Sequence, residues 1–426
     1  MSMFPSWREV SVAPGRVVAP DERLPWPQTM VLGFQHVIAM FGATVLAPLL
    51  MGFDPNVAIL TSGIGTLIFF VLVGGRVPSY LGSSFAFIGV VIAATGYAGK
   101  TGPNPNIGVA LGGIVACGAL YTLIGVLVKG IGARWIEHLM PPVVTGAVVA
   151  VIGLNLAGVP IKNMAPTDFD KWMQALTFIC VGLVAVRTSG MVQRLLILVG
   201  LLVASALYAV LTNGFGLGKP IDFSALAAAP WWGVPNFAAP VFEANAMLLI
   251  APVALILVAE NLGHIKAVSA MTERDLSGSI GSAFVGDGVA TMVSGAIGGS
   301  GVTTYAENIG VMAATRIYSS AMFVVAACVA VVLGFSPKFG ALIQTIPLAV
   351  MGGVSIVVFG LIAVSGAKIW VDNRVDFRDN ANLLVAAITL VLGTGDYTLQ
   401  LGSFALGGIG TATFGAVLLH ALLRRA

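Results

Sequence analysis

Charge is what this sequence lacks most. Its 426 residues include only 21 basic and 18 acidic side chains, so 9% of the chain is charged, while 58% is hydrophobic and the mean hydropathy is +0.97. Because a soluble protein carries about 25% charged residues, the composition excludes a soluble enzyme and a nucleic-acid-binding protein. The hydropathy also excludes a disordered chain, and a transmembrane β-barrel would show only weakly apolar segments. The prediction is an all-α polytopic membrane protein embedded in a lipid bilayer.

Cysteine is scarce as well. Cys117, Cys180 and Cys328 lie in separate apolar runs, so they indicate neither a disulfide framework nor metal-ligand spacing, and we expect no metal or other cofactor. Glycine is abundant, with 53 copies in 426 residues, which exceeds the usual share of about 7%. Small residues allow membrane helices to approach closely and permit the interrupted helices of transporters.

Long apolar runs organise the chain. A membrane-spanning helix needs about 20 mainly apolar residues, and we count fourteen candidate spans, two of them shorter. They lie at 28–50, 56–73, 84–97, 107–128, 141–157, 172–186, 193–212, 245–265, 280–297, 305–315, 317–334, 346–366, 382–394 and 403–422. The third and the tenth are too short to cross as ordinary helices. Each follows a glycine-rich run and a β-prone tripeptide, at 83–85 and 303–305. We predict a short strand leading into a half-helix in both spans.

Basic residues indicate the orientation. With the N-terminus in the cytoplasm and successive loops on alternating sides, sixteen of the 21 basic residues lie inside. These sixteen include every arginine, with Arg424 and Arg425 at the end of the chain. Only five lysines lie outside: Lys100, Lys162, Lys171, Lys219 and Lys338. This asymmetry follows the positive-inside rule. It predicts an even number of spans with both termini in the cytoplasm.

Two stretches of the chain repeat each other at an offset of 220–224 residues. The series Gly63, Gly74-Gly75 and 83–86 corresponds to Gly286, Gly298-Gly299 and 303–306, and 88–95 matches 309–315. The third span therefore pairs with the tenth, and an odd shift of seven spans inverts the second copy. Inverted repeats with matched interrupted helices indicate a secondary transporter with a site at the bilayer midplane.

Three acidic residues lie inside spans, where an ionisable group costs about 2.5–3.5 kcal/mol and is a functional hypothesis by default. They are Glu260, Asp287 and Glu307, and His264 follows Glu260 by four residues, on the same helix face. His36 lies inside the first span.

The half-helices offer a way to bind a small planar ligand. If the repeat is inverted, two helix N-termini with free N–H groups face each other, and Glu260 and Glu307 accept N–H donors from the same ligand. Phe85 or Tyr305 could stack on its ring. This pattern suits a nucleobase and suits an inorganic anion poorly, because two carboxylates repel it.

Simpler interpretations stay open at this stage. Glu260 and His264 fit an i,i+4 pair that stabilises the bundle, and Glu307 fits a residue matched to its helix dipole. Asp287 and His36 fit internally satisfied polar groups, and the aromatic pair fits ordinary packing.

One motif carries a family resemblance. Residues 307–316, ENIGVMAATR, resemble the signature of the nucleobase–ascorbate transporters, also called nucleobase:cation symporter-2. That signature has Gln, Glu or Pro, then Asn-x-Gly, four variable residues, Thr, and Arg, Lys or Gly. Gln35-His36 resembles a second family motif, and the runs 18–25 and 257–264 are most similar to the pyrimidine permease branch. The glutamate at the first signature position favours a pyrimidine, whereas Phe359 departs from the Tyr of a uracil-transporting relative.

The resemblance implies an architecture. Family members have 14 spans as a 7+7 inverted repeat with short strands in spans 3 and 10, form homodimers, and in bacteria lie in the cytoplasmic (inner) membrane. Carried onto this chain, the domains are a cytoplasmic tail at 1–25, core segments at 26–130 (spans 1–4) and 243–336 (spans 8–11), and gate segments at 131–242 (spans 5–7) and 337–426 (spans 12–14).

The resemblance also implies residue roles. Glu260 and Glu307 hold the base, the backbones of Phe85 and Ala306 contact it, and His264 acts with Glu260 in proton coupling. Tyr305, Ala43 and Ser355 are the remaining expected substrate-binding positions. Asp287, His36 and Asn308 are expected to support the site. We expect proton-coupled import of uracil, or of thymine or another nucleobase, by alternating access of core against gate. The alternatives are a xanthine or broad nucleobase permease, an anion transporter of the same fold, and a channel. No catalytic motif lies in a span, so we do not expect an enzyme.

Overall fold

The structure is a computed structural model that describes residues 6–11, 16–97, 102–401 and 404–423. Lys100, Arg424 and Arg425, which the orientation argument used, lie outside these residues. The helices are α1 Trp26–Met51, α2 Pro55–Leu72, α3 Ala86–Thr95, α4 Ile107–Ile131, α5 Arg134–Leu139, α6 Pro142–Leu156, α7 Gly158–Asn163, α8 Asp168–Arg187, α9 Gly190–Arg194, α10 Leu196–Ala209, α11 Ser224–Ala228, α12 Ala244–Ile250, α13 Val253–Thr272, α14 Ile280–Ile297, α15 Ala306–Thr315, α16 Ser320–Gly334, α17 Pro337–Gln344, α18 Leu348–Asp372, α19 Asn380–Thr394 and α20 Gly408–Leu423. The strands are β1 Arg8–Glu9, β2 Glu22–Arg23, β3 Leu81–Ser83, β4 Val302–Thr304, β5 Leu399–Leu401 and β6 Phe404–Leu406. A π-helical turn, Val210–Gly214, continues α10, and a 3-10 turn, Ser277–Ser279, precedes α14.

The helices are long and apolar enough for a membrane protein. Within the described residues, nine could cross a bilayer, or ten if α16 and α17, which meet at 83°, are one bent span. Shorter apolar helices are α3, α19 and α20. The prediction of a mostly helical chain with many spans is confirmed, whereas the count of fourteen and the 7+7 inversion stay predictions.

Local sequence signals explain several helix ends. Pro55 opens α2, where its missing N–H costs nothing, and the side chain of Asp54 accepts a hydrogen bond from the N–H of Asn56 at 2.8 Å. Thr167 and Asp170 form a capping box at the start of α8. Gly52 ends α1 in the left-handed conformation, with φ of 75°.

Three predicted boundaries differ from the structure. The strands end at Ser83 and Thr304, one or two residues before the predicted ends, because Phe85 already has helical angles and Tyr305 is the N-cap of α15. The eighth span is confirmed as one candidate span, Ala244–Thr272, but it contains an unpredicted break between α12 and α13, since Pro252 lacks the N–H that a continuous helix needs. The last span does not begin at 403, because 404–406 form β6, which pairs antiparallel with β5.

A buried pair of strands occupies the centre of the fold. β3 and β4 pair antiparallel, with Gly82 opposite Thr303, and all six residues are buried. A Cβ on Gly82 would lie 2.6 Å from Thr44 Oγ1 and from Tyr305 Cζ, so only glycine fits there. Each strand leads into a half-helix of ten residues, α3 or α15.

The long helices pack in two groups. One group contains α1, α2, α4, α14 and α16, and both central strands contact its helices. The other contains α6, α8, α10, α18, α19 and α20. α13 contacts members of both groups, and a cavity lies where the two meet.

Candidate functional site

The cavity between the two helix groups has a volume of about 640 Å³. Its first wall consists of α13, the strand pair and the first turns of α3 and α15. Its second wall consists of α6 and α18, with Glu137 of α5, Met140 and one residue of α10. Ala86 and Ala306, the first residues of the two half-helices, both line it. Two helix N-termini therefore open on one space, where their first N–H groups lack intrahelical acceptors.

Two carboxylates face this space. Glu260 from α13 and Glu307, the second residue of α15, both line the cavity and are partly exposed. No ion pair among the described residues engages either group. The pair therefore offers acceptor oxygens to N–H donors, while repelling an anion.

A chain of polar side chains continues from the cavity into the buried interior. His264 Nδ1 lies 2.8 Å from the hydroxyl oxygen of Thr304, which donates to Asn261 Oδ1 at 3.4 Å. The amide nitrogen of Asn261 donates to Asp287 Oδ2 at 2.5 Å and to the hydroxyl of Tyr121 at 2.9 Å. The Tyr121 hydroxyl also donates to Asp287 Oδ2 at 3.4 Å. Asp287 is therefore connected to the cavity through α13 and β4 and does not line it.

The two candidate stacking aromatics have different surroundings. Tyr305 is 3% exposed, and its hydroxyl donates to the carbonyl of Ser83 at 2.8 Å and accepts from Thr44 at 3.1 Å. It thus fastens β3 to α1 and fits a packing role. Phe85 is half-buried, lines the cavity and meets Phe359 edge-on, with ring centroids 6.3 Å apart.

Six of the predicted site residues line the cavity: Glu260, Glu307, Phe85, Ala306, Tyr305 and His264. Five others are buried and are not among the residues that line it: Ala43, Ser355, Asp287, His36 and Asn308. The Ser355 hydroxyl donates to the carbonyl of Met351, one turn earlier in α18. The Asn308 amide donates to the carbonyl of His36 at 3.1 Å and lies 2.9 Å from its Nδ1, so this pair joins α15 to α1.

Sequence reasoning missed several polar partners. In the sequence, Thr304 is marked only by its β-propensity, and Asn261 only because it lies in the run 257–264 that resembles the family. No pattern singles out Tyr121 or Thr44, which lie in apolar spans. It also missed the ion pair of Lys266 with Glu137, 2.7 Å long, which lines the cavity between α13 and α5. Within the described residues there is no cluster of three His, Cys, Asp or Glu that could hold a metal ion.

Comparison with known proteins decides the family. The model of the Permease family, named for xanthine and uracil permeases, matches residues 27–402. The chain belongs to this family, nucleobase:cation symporter-2. It is therefore a multi-pass membrane permease and not an enzyme, and the family resemblance of the sequence is confirmed.

Relatives match most of the length of the permease. It is 66% identical to RutG of Escherichia coli (strain K12), named a candidate pyrimidine permease, over 99% of this chain and 96% of that protein. It is 41% identical to the uracil permease of Paenibacillus larvae, over 95% of this chain and 96% of that protein. The transmembrane domain of the cyanobacterial bicarbonate transporter BicA superposes with a TM-score of 0.63 at 16% identity, over 87% of this chain and 97% of that one. This last likeness concerns the fold alone.

Proposed function

We propose that the protein imports uracil or a closely related pyrimidine by proton symport. The observation that carries the proposal is that Glu260 and Glu307 line one cavity, free of ion pairs among the described residues, beside the N-termini of both half-helices. The names of the relatives support a pyrimidine, since RutG and the Paenibacillus protein are named for pyrimidine and uracil.

The proposed site matches the edges of the base. Uracil carries two ring N–H donors and two carbonyl acceptors in one plane. Glu260 and Glu307 accept the N–H groups, while the backbone N–H groups of Phe85 and Ala306 donate to the carbonyls. The Phe85 ring, held edge-on by Phe359, offers an apolar face for the base. Ala43 and Ser355, which do not line the cavity, approach the substrate only after a rearrangement.

Proton coupling is assigned to Glu260 with His264. A coupling group has to exchange a proton with water on one side and bind substrate better in one protonation state than in the other. Glu260 faces the cavity, and His264, one turn later, is hydrogen-bonded to Thr304 on the strand that leads into α15. Asp287, His36 and Asn308 support the site from behind.

We infer the remaining architecture from the family. Fourteen spans form a 7+7 inverted repeat, which the matched halves β3–α3 and β4–α15 support. The helix groups support core segments at 26–130 and 243–336 and gate segments at 131–242 and 337–426. Core rocks against gate around the site, in a homodimer in the bacterial inner membrane with both termini cytoplasmic.

Uptake into proteoliposomes tests the proposal. With an acidic exterior, the wild type is expected to accumulate labelled uracil, and Glu260→Gln is expected to lose the gradient-driven part because glutamine cannot carry the proton. Glu243→Gln, which changes an exposed acid at the start of α12, is the matched control and keeps full accumulation. Full accumulation by Glu260→Gln would contradict the proton role.

Competition tests the choice of base. Unlabelled thymine is expected to compete with labelled uracil, and xanthine is expected to compete poorly because a purine is larger. If xanthine competes as well as uracil, the protein is a broad nucleobase permease. Replacing the proton gradient with a sodium gradient distinguishes the two coupling ions.

A further inference from the structure

The chain before α1 is packed against the end of the molecule. We call residues 6–11 and 16–25 the tail clasp. They form a two-stranded parallel sheet, β1 with β2, and a small apolar core of Val10, Val18 and Leu24 that packs on Leu32 and Ile317. The clasp therefore has a defined structure of its own and defined contacts with the membrane helices.

The first contact is with the turn that follows α15. α15 ends at Thr315, and Arg316 takes the left-handed conformation, with φ of 56°. The N–H of Val18 donates to the carbonyl of Arg316 at 3.0 Å, and the N–H of Tyr318 donates to the carbonyl of Val18 at 2.8 Å. Ser320 donates to the carbonyl of Pro20 through both its N–H, at 3.0 Å, and its hydroxyl, at 2.8 Å. The segment that follows α15, residues 316–320, is thus hydrogen-bonded to the clasp at every second residue.

The second contact is with the loop after α13. Arg274 follows α13, the helix that carries Glu260, and its guanidinium lies 2.8 Å from the carboxylate of Asp21. A third contact reaches α16, because the indole N–H of Trp7 donates to the Ser320 hydroxyl at 2.9 Å. One short segment therefore joins the ends of both helices that bring a carboxylate to the cavity.

Glu22 holds the clasp together from inside. Its side chain is 11% exposed and accepts hydrogen bonds from Arg8 at 2.6 Å, from Arg16 at 3.2 Å and from the N–H of Ala19 at 3.2 Å. Burial raises its pKa, but the hydrogen bonds and the two guanidinium charges outweigh burial and hold the pKa below its ordinary value of 4.5. Glu22 is therefore ionised at neutral pH, and its partners stay in place.

A half-helix needs such support. α15 has ten residues, so it is about 15 Å long and shorter than the ~12–15 residues at which an isolated helix becomes stable. Its first turn follows the strand pair, and its far end meets the clasp. The matching half-helix α3 ends instead against the loop at 104–106, where the side-chain amides of Asn104 and Asn106 donate to the hydroxyl and carbonyl of Thr95. The C-terminal ends of the two half-helices are therefore held by different contacts: the tail clasp for α15 and the loop at 104–106 for α3.

We infer that the tail clasp is a positioning element for the carboxylate site: it fastens the far end of α15 to the loop after α13 and so fixes Glu307 relative to Glu260. This inference rests on the proposed function only in naming uracil as the ligand of that site. The positioning residues are Asp21 and Glu22, which touch neither the cavity nor the ligand.

Amide hydrogen exchange combined with uracil binding tests the inference on the full chain. Asp21→Asn removes the Arg274 pair, and Glu22→Gln removes the charge that orders Arg8 and Arg16. Exchange in α15 is expected to rise about two- to fivefold in Asp21→Asn, the range for loss of one exposed ion pair, and further in Glu22→Gln. Exchange in α6 and α18 is expected to stay unchanged. The dissociation constant for uracil is expected to rise by a similar factor, while maximal transport at saturating uracil is kept.

A charge reversal and a control complete the design. Asp21→Arg alone weakens binding, and the double variant Asp21→Arg with Arg274→Asp restores the pair and the affinity. Arg378→Gln, an exposed arginine after α18, is the control and changes neither exchange nor affinity. Unchanged exchange in α15 of both tail variants would overturn the inference, and so would faster exchange with unchanged uracil affinity. If the wild type does not bind uracil, the proposed function fails, whereas the exchange data still decide whether the clasp fastens α15.

Discussion

Tyr305 permits a sharp test of how the site is held. Its hydroxyl donates to the Ser83 carbonyl and accepts from Thr44, in an interior where Tyr305 is 3% and Thr44 0% exposed. Tyr305→Phe keeps the ring and removes both hydrogen bonds, which leaves the Thr44 hydroxyl without this acceptor and the Ser83 carbonyl without this donor. An unsatisfied buried polar group costs about 1–3 kcal/mol. We therefore expect a loss of stability of that order, which lowers Tm in detergent by about 1–3 °C for a chain of this length, and a weaker affinity for uracil because β3 leads into Phe85.

The same substitution separates packing from stacking. If Tyr305 stacks on the base, Tyr305→Phe retains affinity, since phenylalanine offers the same face, and Tyr305→Leu loses it. If it fastens β3 to α1, both variants lose affinity and stability. Thr44→Val is expected to cost less in the Tyr305→Phe background than in the wild type, because the two groups share one hydrogen bond. Tyr318→Phe is the control, since Tyr318 is equally buried and none of the hydrogen bonds of the described residues uses its hydroxyl. Unchanged Tm and affinity in Tyr305→Phe would refute the packing role.

Two further predictions concern the strand pair and the clasp. Gly82→Ala places a Cβ 2.6 Å from a buried tyrosine ring and is expected to cost about 1–3 kcal/mol and most of the uracil uptake; Gly360→Ala, with no atom within 4 Å of the new Cβ, keeps both. Glu22 has a folded pKa below 4.5, so its stabilisation is complete above that value and is lost as the pH falls through the folded pKa. The Tm difference between the wild type and Glu22→Gln is therefore constant from about pH 6 to 8 and shrinks below 4.5; a difference that instead shrinks towards pH 8 would contradict this sign.

The sequence predicted the fold well where it depends on apolar length and on glycine. Runs such as 107–128 and 346–366 lie in single helices, α4 and α18. A long apolar segment in a bilayer forms a helix because its backbone groups have to hydrogen-bond within the segment. The half-helices followed from shortness and from the tripeptides before them. The predicted start of the last span was wrong because the strand at 404–406 is made of ordinary apolar residues, and the break at Pro252 inside the eighth span was not predicted.

The candidate site could be predicted in part, because an acidic residue inside a membrane span is energetically costly. Glu260 and Glu307 stood out because few other acids lie in spans, and both line the cavity. Ala43 and Ser355 came from the family alone, and neither lines it. The tail clasp could not be predicted, since its charges resemble an ordinary solvated tail and its partners lie about 250 to 300 residues away.

The missed residues share one physical origin. Breaking a helix at the middle of a membrane frees backbone groups that a continuous helix would satisfy, and lipid cannot satisfy them. Here the pairing of β3 with β4 satisfies some of these backbone groups, and short polar side chains satisfy others. The Thr66 hydroxyl accepts from the N–H of Leu81, and the Thr291 hydroxyl accepts from the N–H of Val302. These threonines cost little to bury once they are bonded, so composition does not reveal them, whereas an acid in a span is conspicuous. A chain with so little charge therefore shows its candidate ligand-binding groups in the sequence and hides the groups that support them.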